Sequence, residues 1–153
     1  AFGHLQIHPS PKLWEALEMP LVNSIPKMGG QGVANSLWAF ATLQIQPSQQ
    51  VMHSLLSEIT QKRNGFTPQA TSNCLWALGR LQIRNLAISN VLVETAVSCT
   101  DEFSEVEMAN VLWAMAKLRF NANPAWSQRI ESFVRQRASS FSPQSLVTCL
   151  WAS

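Results

Sequence analysis

A chain of 153 residues, 46% of them apolar and 13% charged, is long enough for one ordinary domain and too apolar to be a disordered tail. No apolar run approaches the roughly 20 residues that span a bilayer, so no membrane association is expected. A net charge of +2 argues only weakly for an acidic partner.

The elements repeat along the chain. Trp38, Trp76, Trp113 and Trp151 lie 38, 37 and 38 residues apart. Each is preceded by Leu (Leu37, Leu75, Leu112, Leu150) and followed by Ala (Ala39, Ala77, Ala114, Ala152). Leu5, Leu43, Leu81 and Leu118, then Ile7, Ile45, Ile83 and Phe120, keep the same register. Such self-similarity is the signature of stacked supersecondary units.

Each unit is predicted to hold two helices, A and B. After the break at His8-Pro9 comes a B helix, whose end is marked by Gly29-Gly30. An A helix then runs through Trp38 to about Ile45. Gln46-Pro47 breaks it, and Val51, Leu55, Leu56 and Ile59 give the next B helix its apolar spacing, with Gly65 at its end. Thr67-Pro68-Gln69 puts a hydroxyl at N-cap and Pro at N1 of a second A helix, expected to reach Ile83. Leu92, Val93, Ala96 and Val97 mark its B partner. Ser104-Glu105-Val106-Glu107 is a capping box for the third A helix. Asn123-Pro124 precedes a B helix carrying Trp126, Ile130, Phe133 and Val134, and Ser142-Pro143-Gln144 opens a last A helix. No segment alternates with period two.

The expected fold is therefore all-α: an α-solenoid of about four 37–38-residue helix–turn–helix repeats. Over 1–153 the units are approximately 1–29, 30–66, 67–103 and 104–141, with a partial unit 142–153. The opening Ala1-Phe2-Gly3-His4 has no basic stretch, so no secretory leader is expected. The chain is expected to be an excerpt of a longer array, its ends capped by further repeats or by neighbouring subunits.

Counting from each Trp, positions −5, −1 and +2 form an apolar core stripe. Small residues at −2 and +1 let helices approach closely. Positions −7, −3, 0 and +4 form a third stripe: Gln31-Asn35-Trp38-Thr42, Gln69-Asn73-Trp76-Arg80, Val106-Asn110-Trp113-Lys117 and Gln144-Thr148-Trp151. Amides can read base edges, aromatics can stack on bases, and Arg or Lys can meet phosphate. The competing reading makes each Trp core and lets each Asn bond a neighbouring backbone. Further cations fall in two places: Arg80, Arg84, Lys117 and Arg119 near the ends of A helices, and Lys62, Arg63, Arg135 and Arg137 near the ends of B helices. They either complement helix dipoles or make a ledge for phosphates.

The period and the run Thr67-Pro68-Gln69, Asn73, Leu75-Trp76-Ala77-Leu78 and Leu81 resemble the octotricopeptide repeat, over roughly four units. Related helical repeats occur beside RAP domains in organellar proteins. The first unit departs with Gly30-Gln31-Gly32 in place of Pro-Gln, and the third has Val106 in place of Gln. The resemblance implies RNA binding in the mitochondrial matrix or chloroplast stroma: transcript stabilisation, processing or translation, or holding ribosomal RNA within an organellar ribosome. On that reading Gln31, Asn35, Gln69, Asn73, Asn110 and Gln144 contact bases or sugars of single-stranded or irregular RNA. Arg80, Arg84, Lys117 and Arg119 contact phosphates.

No enzyme is expected, since no carboxylate pair, nucleophile elbow or glycine-rich phosphate loop appears. No cofactor is expected either. His4 and His8 have an i, i+4 spacing that suits a metal, but other copies carry Thr42, Arg80 or Lys117 at the His4 position. Cys74, Cys99 and Cys149 lack a CxxC and are expected to be small, reduced, mostly buried residues. The rival function is a protein- or peptide-binding solenoid, which for a basic peptide needs acids on the stripe; Glu107 is the one acid near it.

Overall fold

A computed structural model describes residues 10–121 and 123–152. His4, His8, Leu5 and Ile7 lie outside the described residues. Among the described residues eight α-helices follow in order: α1 (Pro11–Ser24), α2 (Gly30–Leu43), α3 (Gln49–Gln61), α4 (Pro68–Arg80), α5 (Leu86–Ser98), α6 (Glu105–Leu118), α7 (Pro124–Arg137) and α8 (Pro143–Ala152). Among the described residues there is no strand. The fold is all-α. The even-numbered A helices pack on one another in one layer, and the odd-numbered B helices pack in a second layer behind them.

Helix starts are set by side chains. The side-chain oxygens of Ser10, Ser48, Thr67, Asn85, Ser104 and Asn123 each accept from the backbone N–H three residues on, and Ser142 does so for Ser145. Each such cap is worth about 1 kcal/mol. In the Ser104 capping box the Glu107 carboxylate reaches back to the Ser104 N–H at 2.8 Å. Only α2 begins without a side-chain cap: Gly29 is its N-cap and Gly30 its first residue. The glycine pair thus opens an A helix; the preceding B helix ends earlier, in a 3-10 turn over Ile25–Lys27. The same turn follows each later B helix, over Arg63–Gly65, Thr100–Glu102 and Ala138–Ser140. An extended residue then leads into the next cap. Phe66, Phe103 and Phe141 hold that place and are buried, so an apolar anchor fixes the entry angle of each A helix.

A helices stop short of the sequence expectation. They end near Leu43, Arg80 and Leu118, not at Ile45, Ile83 or Phe120. Gln44, Gln82 and Arg119 adopt left-handed φ values of 55°, 57° and 52°. The N–H groups of Ile45, Ile83 and Phe120 then bond back to the carbonyls of Phe40, Leu78 and Met115. This is the Schellman closure, with the following apolar residue turned inward. It was missed because no glycine marks it. The single residue lost between Trp76 and Trp113 is lost in the next connection: the N-caps Ser48 and Asn123 follow their Trp by ten residues, Asn85 by nine.

One continuous core lies between the layers. Val33 and Leu37 from α2, Leu75 and Leu78 from α4, and Met108 from α6 meet Val51, Leu55 and Ile59 from α3 and Leu92 and Val93 from α5. Burying one such side chain favours folding by roughly 1.5–3 kcal/mol. Small residues bring the A helices together: Ala34, Ala41, Cys74, Ala77 and Ala114 are fully buried. A Cβ on Gly79 would stand 3.1 Å from the Trp113 ring and 3.3 Å from the Ala114 backbone, so α4 and α6 touch almost backbone to backbone there.

Two B-helix cations belong to this scaffold. Lys62 Nζ donates to the carbonyls of Pro26 and Met28 at 2.7 and 2.8 Å. Arg137 donates to those of Asp101 and Phe103, both at 3.0 Å. Both residues stand 14 before a repeated Trp, and both tie the end of one B helix to the turn of the unit before it. Each rests on the residue four earlier: Lys62 on the buried Glu58 carboxylate at 2.6 Å, Arg137 over the Phe133 ring at 4.7 Å. Arg135 pairs with Glu131 at 2.6 Å. Of the four cations at the B-helix ends, Lys62 and Arg137 are thus committed to carbonyls within the protein, while Arg63 and Arg135 stay exposed.

Candidate nucleic-acid interface

Positions −7, −3, 0 and +4 fall on the side of the A layer turned away from the B helices. Gln31, Asn35 and Trp38 of α2 are exposed; Gln69 and Arg80 of α4 are exposed, with Asn73 and Trp76 half-buried. On α6, Lys117 is exposed and Asn110 and Trp113 are half-buried; on α8, Gln144 and Trp151 are exposed. The helical period places each set on one line, and stacking the helices sets four lines side by side. Trp76, Trp113 and Trp151 are neither core nor free. Trp76 and Trp113 stack with ring centroids 6.2 Å apart and planes 29° apart. Lys117 Nζ lies 5.8 Å from the Trp113 ring centre and 4.9 Å from that of Trp151, a cation shared between neighbouring repeats.

The amides divide. Gln31 Nε2 donates to Asn35 Oδ1 at 2.9 Å, and both residues are exposed. With Val106 in the place of Gln on α6, Asn110 has no such neighbour. Arg84 is exposed in the connection after α4, and Arg119 is exposed at the left-handed end of α6. A polar cleft of 370 Å³ runs between the ends of α2 and α4, lined by Ala41, Gln44, Gln46, Arg80, Leu81 and Gln82. Gln46 Nε2 closes its floor by donating to the Leu81 carbonyl at 3.2 Å. Sequence reasoning did not single out Gln44, Gln46 or Gln82; the signal was their place just after each repeated Leu.

The acids of the A layer are engaged. Glu107 is held by the Ser104 cap, and Glu105 accepts from Ser140 at 2.9 Å. Its own backbone N–H and the Ser140 hydroxyl hold the Glu105 carboxyl below the usual range. Among the described residues no three His, Cys, Asp or Glu side chains gather into a metal site. Among the described residues no helix is long and apolar enough to cross a membrane. At the far end, α6, α7 and α8 enclose an apolar groove of 570 Å³ that includes Met115, Phe120, Ile130, Val134 and Leu146.

An all-α stack of A and B helices with a polar, aromatic A face is a helical-repeat protein in which one layer is scaffold and the other is presented outward. The match is to a translation factor: residues 10–129 fit the family model described as the Tbc2 translation factor, N-terminal domain, and the chain belongs to that family. No curated protein matches it.

Proposed function

We propose that this chain is an RNA-binding repeat domain of the octotricopeptide kind, working in organellar translation or a neighbouring step of RNA metabolism. The observation that carries the reading is the A face: four side-by-side lines of amide and aromatic, two of them ending in a cation, Arg80 and Lys117, held in register by the Trp76–Trp113 stack and by Lys117 between Trp113 and Trp151. The family's name, a translation factor, agrees with RNA as the ligand. Gln31, Asn35, Gln69, Asn73, Asn110 and Gln144 would meet bases or sugars. Arg80, Arg84, Lys117 and Arg119 would meet phosphates. The domain acts by binding, with no chemistry of its own, in a mitochondrion or chloroplast. The groove between α6, α7 and α8 would take a further helix, from another repeat or a neighbouring subunit. A basic-peptide groove is the weaker reading, because Glu105 and Glu107 are already bonded within the protein.

The test is salt-dependent RNA binding by the chain carrying Arg80→Ala with Lys117→Ala. Affinity should fall for all sequences, and the slope of log affinity on log salt should shrink by about 1.4, for two phosphate contacts on a single strand. An unchanged slope removes the phosphate assignment.

A further inference from the structure

The four lines of the A face are not equivalent. In α4, α6 and α8 the tryptophans are engaged: Trp76 and Trp113 by each other, and Trp113 and Trp151 by Lys117. Trp38 is 38% exposed, more than Trp76 or Trp113, and carries no ring or cation partner among the described residues. One turn away, Asn35 is exposed where Asn73 and Asn110 are half-buried. Its Oδ1 is taken by Gln31 Nε2, which leaves the Asn35 amide N–H₂ and the Gln31 carbonyl oxygen facing solvent as an adjacent donor and acceptor.

We infer that the first line, Gln31-Asn35-Trp38, is a pocket for one unpaired nucleobase. The base stacks on the Trp38 indole and bonds through its edge to the Asn35–Gln31 amide pair. The chemistry of the line selects a base over a phosphate. It has no cation, since Thr42 stands where Arg80 and Lys117 stand in later repeats. It has instead an indole 38% exposed and without a ring or cation partner among the described residues, on which any base can stack, and a donor–acceptor pair, which base edges match. The cation comes from the next repeat: Arg80 lines the cleft at the end of α2 with Gln44, where the phosphate following a base on Trp38 would lie. In the remaining lines Trp76, Trp113 and Trp151 are engaged with one another or with Lys117, so their part is to hold the helices in register while the amides beside them meet the RNA.

This inference rests on RNA being the ligand, and the experiment separates the two. Fluorescence anisotropy of labelled 12-nucleotide oligo(A) and oligo(U) RNA is measured with the whole chain and with Trp38→Ala, Trp38→Phe and Gln31→Ala/Asn35→Ala. Trp38→Ala should weaken binding roughly tenfold, as expected for one lost base stack, and Trp38→Phe should restore most of it. The double amide variant should narrow any difference between oligo(A) and oligo(U). Ultraviolet crosslinking of the unaltered chain should place the attached nucleotide within residues 31–42, a readout that needs no variant to fold. Binding by the unaltered chain that is unmoved by Trp38→Ala, or crosslinks only at Trp151 or on B helices, overturns the pocket and leaves the RNA reading intact. No binding of either oligonucleotide by the unaltered chain overturns both.

Discussion

A Cβ added to Gly30 would lie 2.7 Å from the carbonyl oxygen of Gly65. The start of α2 and the turn after α3 thus touch backbone to backbone, at a distance no side chain permits. Gly30→Ala should therefore destabilise the fold by about 1–3 kcal/mol through overpacking, against the usual gain for Ala in a helix. Urea melts followed by circular dichroism measure this. Gly29→Ala, where the new Cβ meets nothing within 4 Å, is the control for crowding and should cost only the N-cap preference for Gly over Ala, about 0.5–1 kcal/mol.

The Lys62 tie can be tested through its own partner. Glu58 is buried, with a side chain only 7% exposed against 34% for Lys62. Lys62→Met strips the carboxylate of its cation and frees the Pro26 and Met28 carbonyls. The expected loss is roughly 3 kcal/mol, the low end for a broken buried pair because Lys62 is partly in water. Adding Glu58→Leu to Lys62→Met should return part of that loss, and a double-mutant cycle reads the coupling. Equal, additive losses would contradict the tie.

Cys99 occupies the place that Lys62 and Arg137 hold in the units on either side, 14 residues before Trp113. Its backbone, φ −120° and ψ 34°, matches Lys62 at −111° and 21°. Its thiol donates to the Thr95 carbonyl of its own helix, at 3.0 Å. A cleft of 500 Å³ opens beside it, lined also by Asn64, Phe66 and Glu102. Cys99→Arg should reach the Asn64 and Phe66 carbonyls as Arg137 reaches its own, raising stability by about 1 kcal/mol. Thermal melts decide it.

Arg119 combines backbone strain with a proposed phosphate contact at one residue. Its φ of 52° costs a non-glycine side chain roughly 1 kcal/mol. Arg119→Gly should therefore raise stability while weakening RNA binding through a lost phosphate contact. Gln82→Gly, at φ 57°, should raise stability by a similar amount and leave the salt slope unchanged. A melt and a salt titration on both variants separate the two effects.

The three thiols should differ in reactivity. Burial pushes the Cys74 thiol far up, and burial with the nearby Glu102 charge raises Cys99; burial also raises Cys149. Titration with a thiol reagent at pH 8 should modify Cys99 and Cys149 slowly. Cys74 should react only when the chain unfolds, so its rate follows global opening.

Much of the fold was legible because the repeat states it four times. The period, the caps at Thr67, Ser104 and Ser142, and the apolar spacing of Val51, Leu55 and Ile59 all act locally, and local chemistry survives into the structure. What escaped the sequence depends on partners far along the chain. The glycine pair Gly29-Gly30 signals a helix end by type, but its role comes from the Gly65 backbone 35 residues away. The left-handed ends at Gln44, Gln82 and Arg119 had no glycine to announce them. Lys62 and Arg137 had a signal, a shared offset from the next Trp, yet their carbonyl partners are visible only in three dimensions. On the candidate site, the stripe was legible from helical period alone. The difference between Trp38 and Trp76 was not, since it arises from which neighbour each ring meets.

The junction between α3–α4 and α5–α6 is fastened unevenly. Along the A layer it is the tightest in the protein, with Gly79 against Ala114 and Trp76 on Trp113. Along the B layer it is the one internal junction whose cationic tie is replaced by a thiol beside an open cleft. Among the described residues that boundary is therefore held by shape and apolar contact alone, while the boundaries on either side add a cation bonded to backbone carbonyls. Salt that weakens the Lys62 and Arg137 ties should leave the fit of Gly79 against Ala114 unchanged, so the boundaries of one array need not share a single dependence on ionic strength.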